Sequence, residues 1–360
     1  MIDLTPGGFR QKIQQFLQGE CPSCSVEAAL STTARLVDVR TAEEFGQGSL
    51  PGATNFPLFD HLERAEIGTL YKQIGPDVAI ERGKDLFSHK VQEFLKPFEE
   101  TQDSELVVYC ARGGMRSASV VRLLRTCGYR AVQMQGGYKE YRRYVLSALE
   151  NFRGHFVVLH GQTGVGKTRI LQKLPDALDL EDLAQHRSSL FGALHRTPRT
   201  QRNFEGLLLA RIQELPHGVP WFVEGESQKV GPVFIPKALF QAMQQGTTIL
   251  LEASLETRVQ RTVEDYPIRN EQDLQEVDKI LQTLKVALGA KMVEHLRICL
   301  RQNRLEEVAR VLLTDYYDLR YRHTMRHYDY SLRLCAENLD ATVNELVNHR
   351  RALMSSGAPS

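Results

Sequence analysis

The chain has 360 residues, 42% hydrophobic and 25% charged, which is ordinary for a folded protein with its own core and long enough for about two domains. Its formal net charge of +1 excludes a global pull toward polyanions, so any nucleic-acid contact has to come from a local patch. No apolar run is long enough for a signal peptide or a bilayer span, and six scattered cysteines (Cys21, Cys24, Cys110, Cys127, Cys299, Cys335) suit a reducing cytoplasm better than a disulfide framework.

Residues 1–33 read as an N-terminal extension. Within it, Cys21-Pro-Ser-Cys24 has the spacing of a metal or redox pair, but a structural zinc site needs two further close ligands and there is no second Cys-x-x-Cys. No structural metal is expected, and the pair reads as incidental, ahead of the first strand, or as a resolving thiol for Cys110. Leu36-Val-Asp-Val-Arg40 predicts a short buried strand and Thr41-Ala-Glu-Glu-Phe45 a helical turn capped by Thr41. Gly48 to Pro57 is turn-rich and ends in another strand. The stretch from Leu58 to Lys84 is longer than a connection needs, and long insertions are often functional.

Cys110-Ala-Arg-Gly-Gly-Met-Arg-Ser117 follows the apolar run Leu106-Val-Val-Tyr109 and precedes a helical pattern. A loop there turns successive N–H groups and a helix dipole toward the sulfur, favouring thiolate over thiol. Arg112 and Arg116 can add to that field or clamp an oxyanion, and Gly113 and Gly114 give the loop its backbone freedom. The alternative is an inert cysteine ending a strand. From Cys110 to Arg116 the count is Cys-x5-Arg, which makes a wide cradle matched to a tetrahedral, phosphate-like anion. The same count occurs in cysteine phosphatases.

A second organising stretch begins with the strand Phe156-Val-Val-Leu-His160. Gly161-Gln-Thr-Gly-Val-Gly-Lys-Thr168 matches the Walker A pattern, in the required context of strand, loop and helix. Gly161, Gly164 and Gly166 allow backbone N–H groups to cradle a diphosphate, Lys167 neutralises it, and Thr168 can ligate Mg2+. Pro220-Trp-Phe-Val-Glu-Gly-Glu-Ser227 supplies Glu224 and Glu226, of which one is expected to serve the magnesium or its water shell. Arg258 and Arg261 share a helical face and either reach phosphates or face solvent.

Residues 152–270 are expected to form the P-loop domain, 271–351 a helical C-terminal region and 352–360 a disordered tail. Tyr316 to Tyr328 interleaves aromatics with Arg320, Arg322 and Arg326. Basic groups beside stacking rings suit a single-stranded RNA loop, and Arg297, Arg301 and Arg304 would extend that patch. Half of these aromatics could equally be core.

Asp38-Val-Arg40, Glu44-Phe45, Leu50-Pro-Gly-Ala-Thr-Asn55 and the cysteine loop resemble the rhodanese domain, which closes near residue 147 after Gln133-Met-Gln-Gly-Gly-Tyr138. That resemblance implies a domain over 34–147 and makes Asp38, Arg40 and Glu44 scaffold. The order rhodanese then P-loop, with Leu180-Glu-Asp-Leu-Ala-Gln-His-Arg-Ser-Ser-Leu-Phe-Gly192, Phe222-Val-Glu-Gly-Glu-Ser227 and Tyr316-Tyr-Asp318, resembles the bacterial tRNA 2-selenouridine synthase family. Ser188 stands where that family's pattern has glycine. The resemblance implies an α/β protein, a rhodanese-like domain followed by a P-loop NTPase-like domain with a helical extension. It implies a cytoplasmic transferase acting on the wobble 2-thiouridine of a tRNA anticodon loop. The sulfur is first geranylated by geranyl diphosphate, and selenium from selenophosphate then replaces the S-geranyl group. Cys110 would be the nucleophile that accepts selenium, and the P-loop would hold the leaving diphosphate. No tightly bound cofactor is implied, only Mg2+ accompanying the diphosphate. A sulfurtransferase, or a Cys-x5-Arg phosphatase with an ATP-binding P-loop, is the alternative.

Overall fold

The computed structural model describes residues 18–101, 104–225, 227–320 and 328–355. The chain divides into two compact units, Met1–Ala148 and Leu149–Ser360.

The first unit is built on five parallel strands, β1 (Ser23–Cys24), β2 (Arg35–Asp38), β3 (Thr54–Asn55), β4 (Glu105–Tyr109) and β5 (Arg130–Met134), in the order β1-β5-β4-β2-β3. The central strand, β4, buries every residue after Glu105, as a strand covered by helices on both faces must. Two expectations change here. Ser23 and Cys24 pair with Gln133 and Met134, so the sheet begins inside the stretch assigned to an extension, and Cys24 lies in the first strand rather than ahead of it. Helix α1 (Ala42–Gln47) starts on a full capping box between Thr41 and Glu44, which satisfies two orphan N–H groups at once. The insertion is a helical hairpin, α2 (His61–Gln73) and α3 (Pro76–Ser88), capped by Asp60 and opened by Pro76. Helices α4 (Met115–Thr126) and α5 (Gly137–Glu150) follow β4 and β5.

In the second unit β6 (Phe156–Gly161), β7 (Ala177–Leu178), β8 (Trp221–Glu224), β9 (Lys229–Val230), β10 (Val233–Phe234), β11 (Thr247–Glu252) and β12 (Leu332–Cys335) occur in chain order. Five of them form a sheet ordered β12-β11-β6-β8-β7, and β9 and β10 form a small antiparallel pair. The P-loop leaves β6, the middle strand, at the carboxyl edge where open α/β sheets bind ligands. It enters α6 (Lys167–Leu171). Helices α7 (Leu180–Ala184), α8 (Gln201–Glu214), α9 (Lys237–Gln244) and α10 (Leu255–Asp265) surround the sheet strands in sequence.

Beyond residue 271 come α11 (Glu271–Thr283), α12 (Ala290–Arg301) and α13 (Leu305–Leu312), then a π turn, Leu313–Tyr317. Leu281, Val293, Leu296, Leu300, Leu312 and Leu313 form their shared core. The region is not wholly helical: Leu332 to Cys335 pairs in parallel with Ile249 to Glu252 as an edge strand. The tail expected to be disordered from 352 is helical to Ser355, the end of α14 (Leu339–Ser355); residues 356–360 lie outside the described residues. Among the described residues no helix is long and apolar enough to cross a membrane.

Candidate functional site

Cys110 sits at the carboxyl end of β4, 3% exposed. Burial resists ionisation of its thiol. Hydrogen bonds from the Ser117 hydroxyl (3.2 Å) and from the backbone N–H groups of Arg112, Ser117 and Gly114 outweigh it and bring the pKa below the usual cysteine value. A stabilised thiolate is the nucleophilic form. The loop is fixed by close backbone packing. Gly113 and Gly137 hold left-handed φ of 62° and 58°, and a Cβ on Gly137 would lie 2.2 Å from Cys110 O and 2.4 Å from Gly113 N. Gln133 completes the frame: its Nε2 donates to Gly113 O (2.9 Å), Gly114 O (3.1 Å) and Ser117 Oγ (2.8 Å).

The two loop arginines part company. Arg112 is exposed, whereas Arg116 donates to Glu44 at 2.9 and 3.4 Å. Its charge is therefore shared with a carboxylate. Arg40 and Asp38 pair in the interior with side chains 4% and 0% exposed, and Arg40 also donates to Gly48 O (2.7 Å) and lies 4.0 Å over the Tyr138 ring. Cys21 Sγ approaches Gln133 Oε1 at 3.5 Å.

In the second unit the loop that starts at Gly161 lines a cavity of about 110 Å³ with Gly164, Gly166, Lys167 and Thr168, joined there by Glu181, Arg187, Glu224, Asp265 and Tyr266. Gly164 and Gly166 have φ of 81° and 103°, a backbone that side chains rarely adopt. Lys167 Nζ donates to Gly161 O (2.8 Å) and Thr168 Oγ1 to Glu181 Oε2 (3.3 Å). Glu224, 3% exposed at the end of β8, accepts from Glu181 N (2.9 Å). The Thr168 hydroxyl and the Glu181 and Glu224 carboxylates are hard oxygen donors of the kind Mg2+ takes. Glu226 lies outside the described residues.

Arg258 and Arg261 neither reach into solvent nor line this cavity. Both are buried. Arg258 donates to Thr163 O (2.8 Å) and Gln162 Oε1 (2.9 Å) and pairs with Asp318 through both nitrogens (2.6 and 3.0 Å). Arg261 donates to Val165 O (2.6 Å) and to the carbonyls of Ala336 and Glu337 (2.9 and 3.0 Å). Each peptide is planar and trans, so turning the Thr163 and Val165 carbonyls outward turns the N–H groups of Gly164 and Gly166 the other way.

The remaining candidates look different from their sequence reading. Tyr316 and Tyr317 are each only 8% exposed in the helical core, and the exposed Arg320 lies 3.9 Å over the Tyr316 ring. Arg297 pairs with Asp278 and Glu294, Arg301 with Asp278 and Arg304 with Glu307, so the expected extension of the basic patch carries matched charge. Arg322 and Arg326 lie outside the described residues. Ser188 donates its N–H to Glu181 and is not among the described non-glycine residues with left-handed φ, Gln185, His195 and Asn303, so serine stands there without backbone strain. Sequence reasoning gave no role to Ser117, Gln133 or Glu181, although all three stood in stretches it singled out.

The profile described as the tRNA 2-selenouridine synthase AAA domain matches residues 154–353, and a rhodanese-like domain matches residues 25–144. Proteins described as tRNA 2-selenouridine synthase in Hydrogenovibrio crunogenus and Pseudomonas syringae pv. tomato are 36% and 35% identical to this chain. Each alignment spans 81% of this chain, with 89% and 88% of the relative. A third, from Hahella chejuensis, is 31% identical over 88% of this chain and 91% of its own. The chain belongs to the tRNA 2-selenouridine synthase family. It is an enzyme, with a rhodanese-like domain ahead of a P-loop domain and a largely helical region after it.

Proposed function

We propose that this chain converts the wobble 2-thiouridine of tRNA to 2-selenouridine through an S-geranyl intermediate, using geranyl diphosphate and selenophosphate, in the cytoplasm. The observation that carries the reading is one chain with two separate anion cradles, of which one is headed by a buried cysteine poised as thiolate.

In the first step the thiouridine sulfur attacks C1 of geranyl diphosphate. A C–S bond forms, a C–O bond breaks, and diphosphate leaves with the bonding pair. The N–H groups of Gly164 and Gly166 and the Lys167 ammonium would stabilise the charge that develops on it. Magnesium held by Thr168 with Glu181 or Glu224 would add charge neutralisation. The allyl end favours an apolar, electron-rich wall. His160, one residue before the loop, has its pKa pushed down to about 4 by burial and by Lys167, so the ring is neutral at pH 7. The Tyr328 ring lies 4.2 Å from it and that of Tyr330 5.6 Å. Aromatic faces of this kind stabilise an adjacent positive charge.

In the second step the electron count decides what Cys110 does. Selenium in selenophosphate already stands at the selenide level, and moving it as a neutral atom onto a thiolate would leave phosphorus reduced by two electrons. The balanced course is attack of the Cys110 thiolate on phosphorus. The S–P bond forms, the P–Se bond breaks, and selenide leaves, adds to C2 of the S-geranyl uridine and expels geranyl thiolate. Water then releases phosphate from Cys110. This replaces the expectation that Cys110 itself carries selenium, and it suits a loop wide enough for a tetrahedral anion.

Mass spectrometry tests both parts. Nucleosides of tRNA incubated with the enzyme and both donors should contain 2-selenouridine, and the Cys110 peptide quenched early should carry a phosphoryl group. A selenium-bearing Cys110 peptide would refute the second step. Steady ATP hydrolysis stimulated by tRNA, with no geranylated nucleoside, would favour an ATP-using phosphatase or sulfurtransferase instead.

A further inference from the structure

We propose that His295, Cys299 and Glu307 form a binding site for one Zn2+ ion, which clips helix α12 to helix α13. Sequence spacing expects no structural metal, and this cluster is in neither of the sites described above. His295 and Cys299 stand four apart on α12, so they share a face one turn apart. Glu307 comes from the first turn of α13. The chain reverses between the helices through Asn303, whose φ is 56°, and Arg304 N donates back to Cys299 O (2.9 Å).

The three ligand atoms lie within 4.8 Å of one another. Cys299 Sγ is 3.5 Å from His295 Nε2, and Glu307 Oε1 is 2.8 Å from the same nitrogen. Tetrahedral zinc with ordinary bond lengths needs an N–S edge of roughly 3.6 Å and an N–O edge of roughly 3.4 Å. The first edge is already present and the second opens by about half an ångström. His295 and Glu307 can supply that movement, because their side chains are 46% and 38% exposed.

A nitrogen, a sulfur and an oxygen donor together suit zinc, and not magnesium or calcium, which take oxygen. Thiolate and carboxylate bring two negative charges to a dication, and the thiol proton passes to solvent on binding. Cys299 is fully buried at the base of the cluster, so the fourth position falls on the exposed side, where water can fill it. Arg304 Nη1 holds the other carboxylate oxygen of Glu307 at 2.6 Å, the kind of outer contact that orients a ligand. The helix pair runs on into Leu313–Tyr317 and then Asp318, the partner of Arg258 behind the P-loop. An ion here would stiffen that support.

The test uses the full chain, stripped with a chelator and titrated with Co2+ as a coloured stand-in. The expected result is one equivalent of cobalt with a thiolate-to-metal charge-transfer band and strong tetrahedral visible bands, all displaced by Zn2+. His295→Ala and Glu307→Gln, both at exposed positions, should each weaken binding by about a hundredfold. Cys299→Ala should remove the charge-transfer band, and Cys110→Ser should keep it. Zn2+ should raise the melting temperature of the wild type and leave that of His295→Ala unchanged. Absence of a tetrahedral spectrum, a full band in His295→Ala, or loss of the band in Cys110→Ser would each overturn the site.

Discussion

The Cys110 loop and the Gly161–Thr168 loop both leave a buried parallel strand and both open a helix, yet they are held by opposite means. The first is locked by neutral groups. Gln133 ties its carbonyls, Gly137 packs against its backbone, and of its two arginines Arg112 is exposed while Arg116 is paired with Glu44. The second is locked by two buried guanidiniums that grip its outer carbonyls. Against burial, oriented N–H dipoles lower the pKa of the Cys110 thiol and hold it in the nucleophilic thiolate form. A departing diphosphate carries more charge and needs positive potential throughout. Under the proposed function, the first loop keeps a nucleophile reactive and the second holds a leaving group.

The largest effect belongs to Cys110→Ser, which should keep the fold and lower selenium incorporation by roughly a thousandfold or more, with S-geranyl-2-thiouridine accumulating in the tRNA. Nucleoside mass spectrometry reads both. Next comes Arg258→Ala. It strands Asp318, which is 9% exposed, and should cost about 3–5 kcal/mol of stability, measured by urea unfolding. A smaller loss is expected for Lys167→Ala, which gives up the hydrogen bond to Gly161 O but strands no buried charge.

A smaller effect is tied to pH. His160 sits near 4 in the fold against an ordinary 6.5, so the unfolded chain binds a proton that the folded chain does not. Its contribution is complete above pH 6.5 and is lost as pH falls toward 4, on the order of 3 kcal/mol in stability. His160→Phe should flatten that part of the profile, and an unchanged profile would remove the neutral ring from the account. The smallest effect is on tRNA. Changing Arg320, Arg322 and Arg326 together to alanine should weaken binding by about tenfold and lower the salt slope by about two, as read by filter binding over a range of salt. Phosphorylation of the Cys110 peptide should be spared.

Much of this was legible in the sequence because local rules fix it. Walker A and Cys-x5-Arg are contiguous patterns with one structural context, so both loops and their flanking strands could be placed from residues alone. The supports were not legible, since they are made by partners distant in sequence. Arg258 lies 60 residues from Asp318 and Arg116 lies 72 from Glu44. The spacing of Arg258 and Arg261 correctly implies a shared face, but spacing carries no sign of whether that face meets phosphate, solvent or carbonyl. The same limit applies to Tyr316 and Tyr317, whose aromatic character fits a stacking surface and a core equally. Cys24 in β1 and Leu332–Cys335 in β12 were missed because two-residue and four-residue edge strands leave almost no periodicity to detect.

The division of labour between the two loops is tested most directly with tRNA that already carries S-geranyl-2-thiouridine. Given selenophosphate and no geranyl diphosphate, Lys167→Ala should form 2-selenouridine at close to the wild-type rate, while Cys110→Ser should form almost none. Equal failure of both variants on this substrate would contradict the account, because the P-loop would then be needed for the selenium step as well.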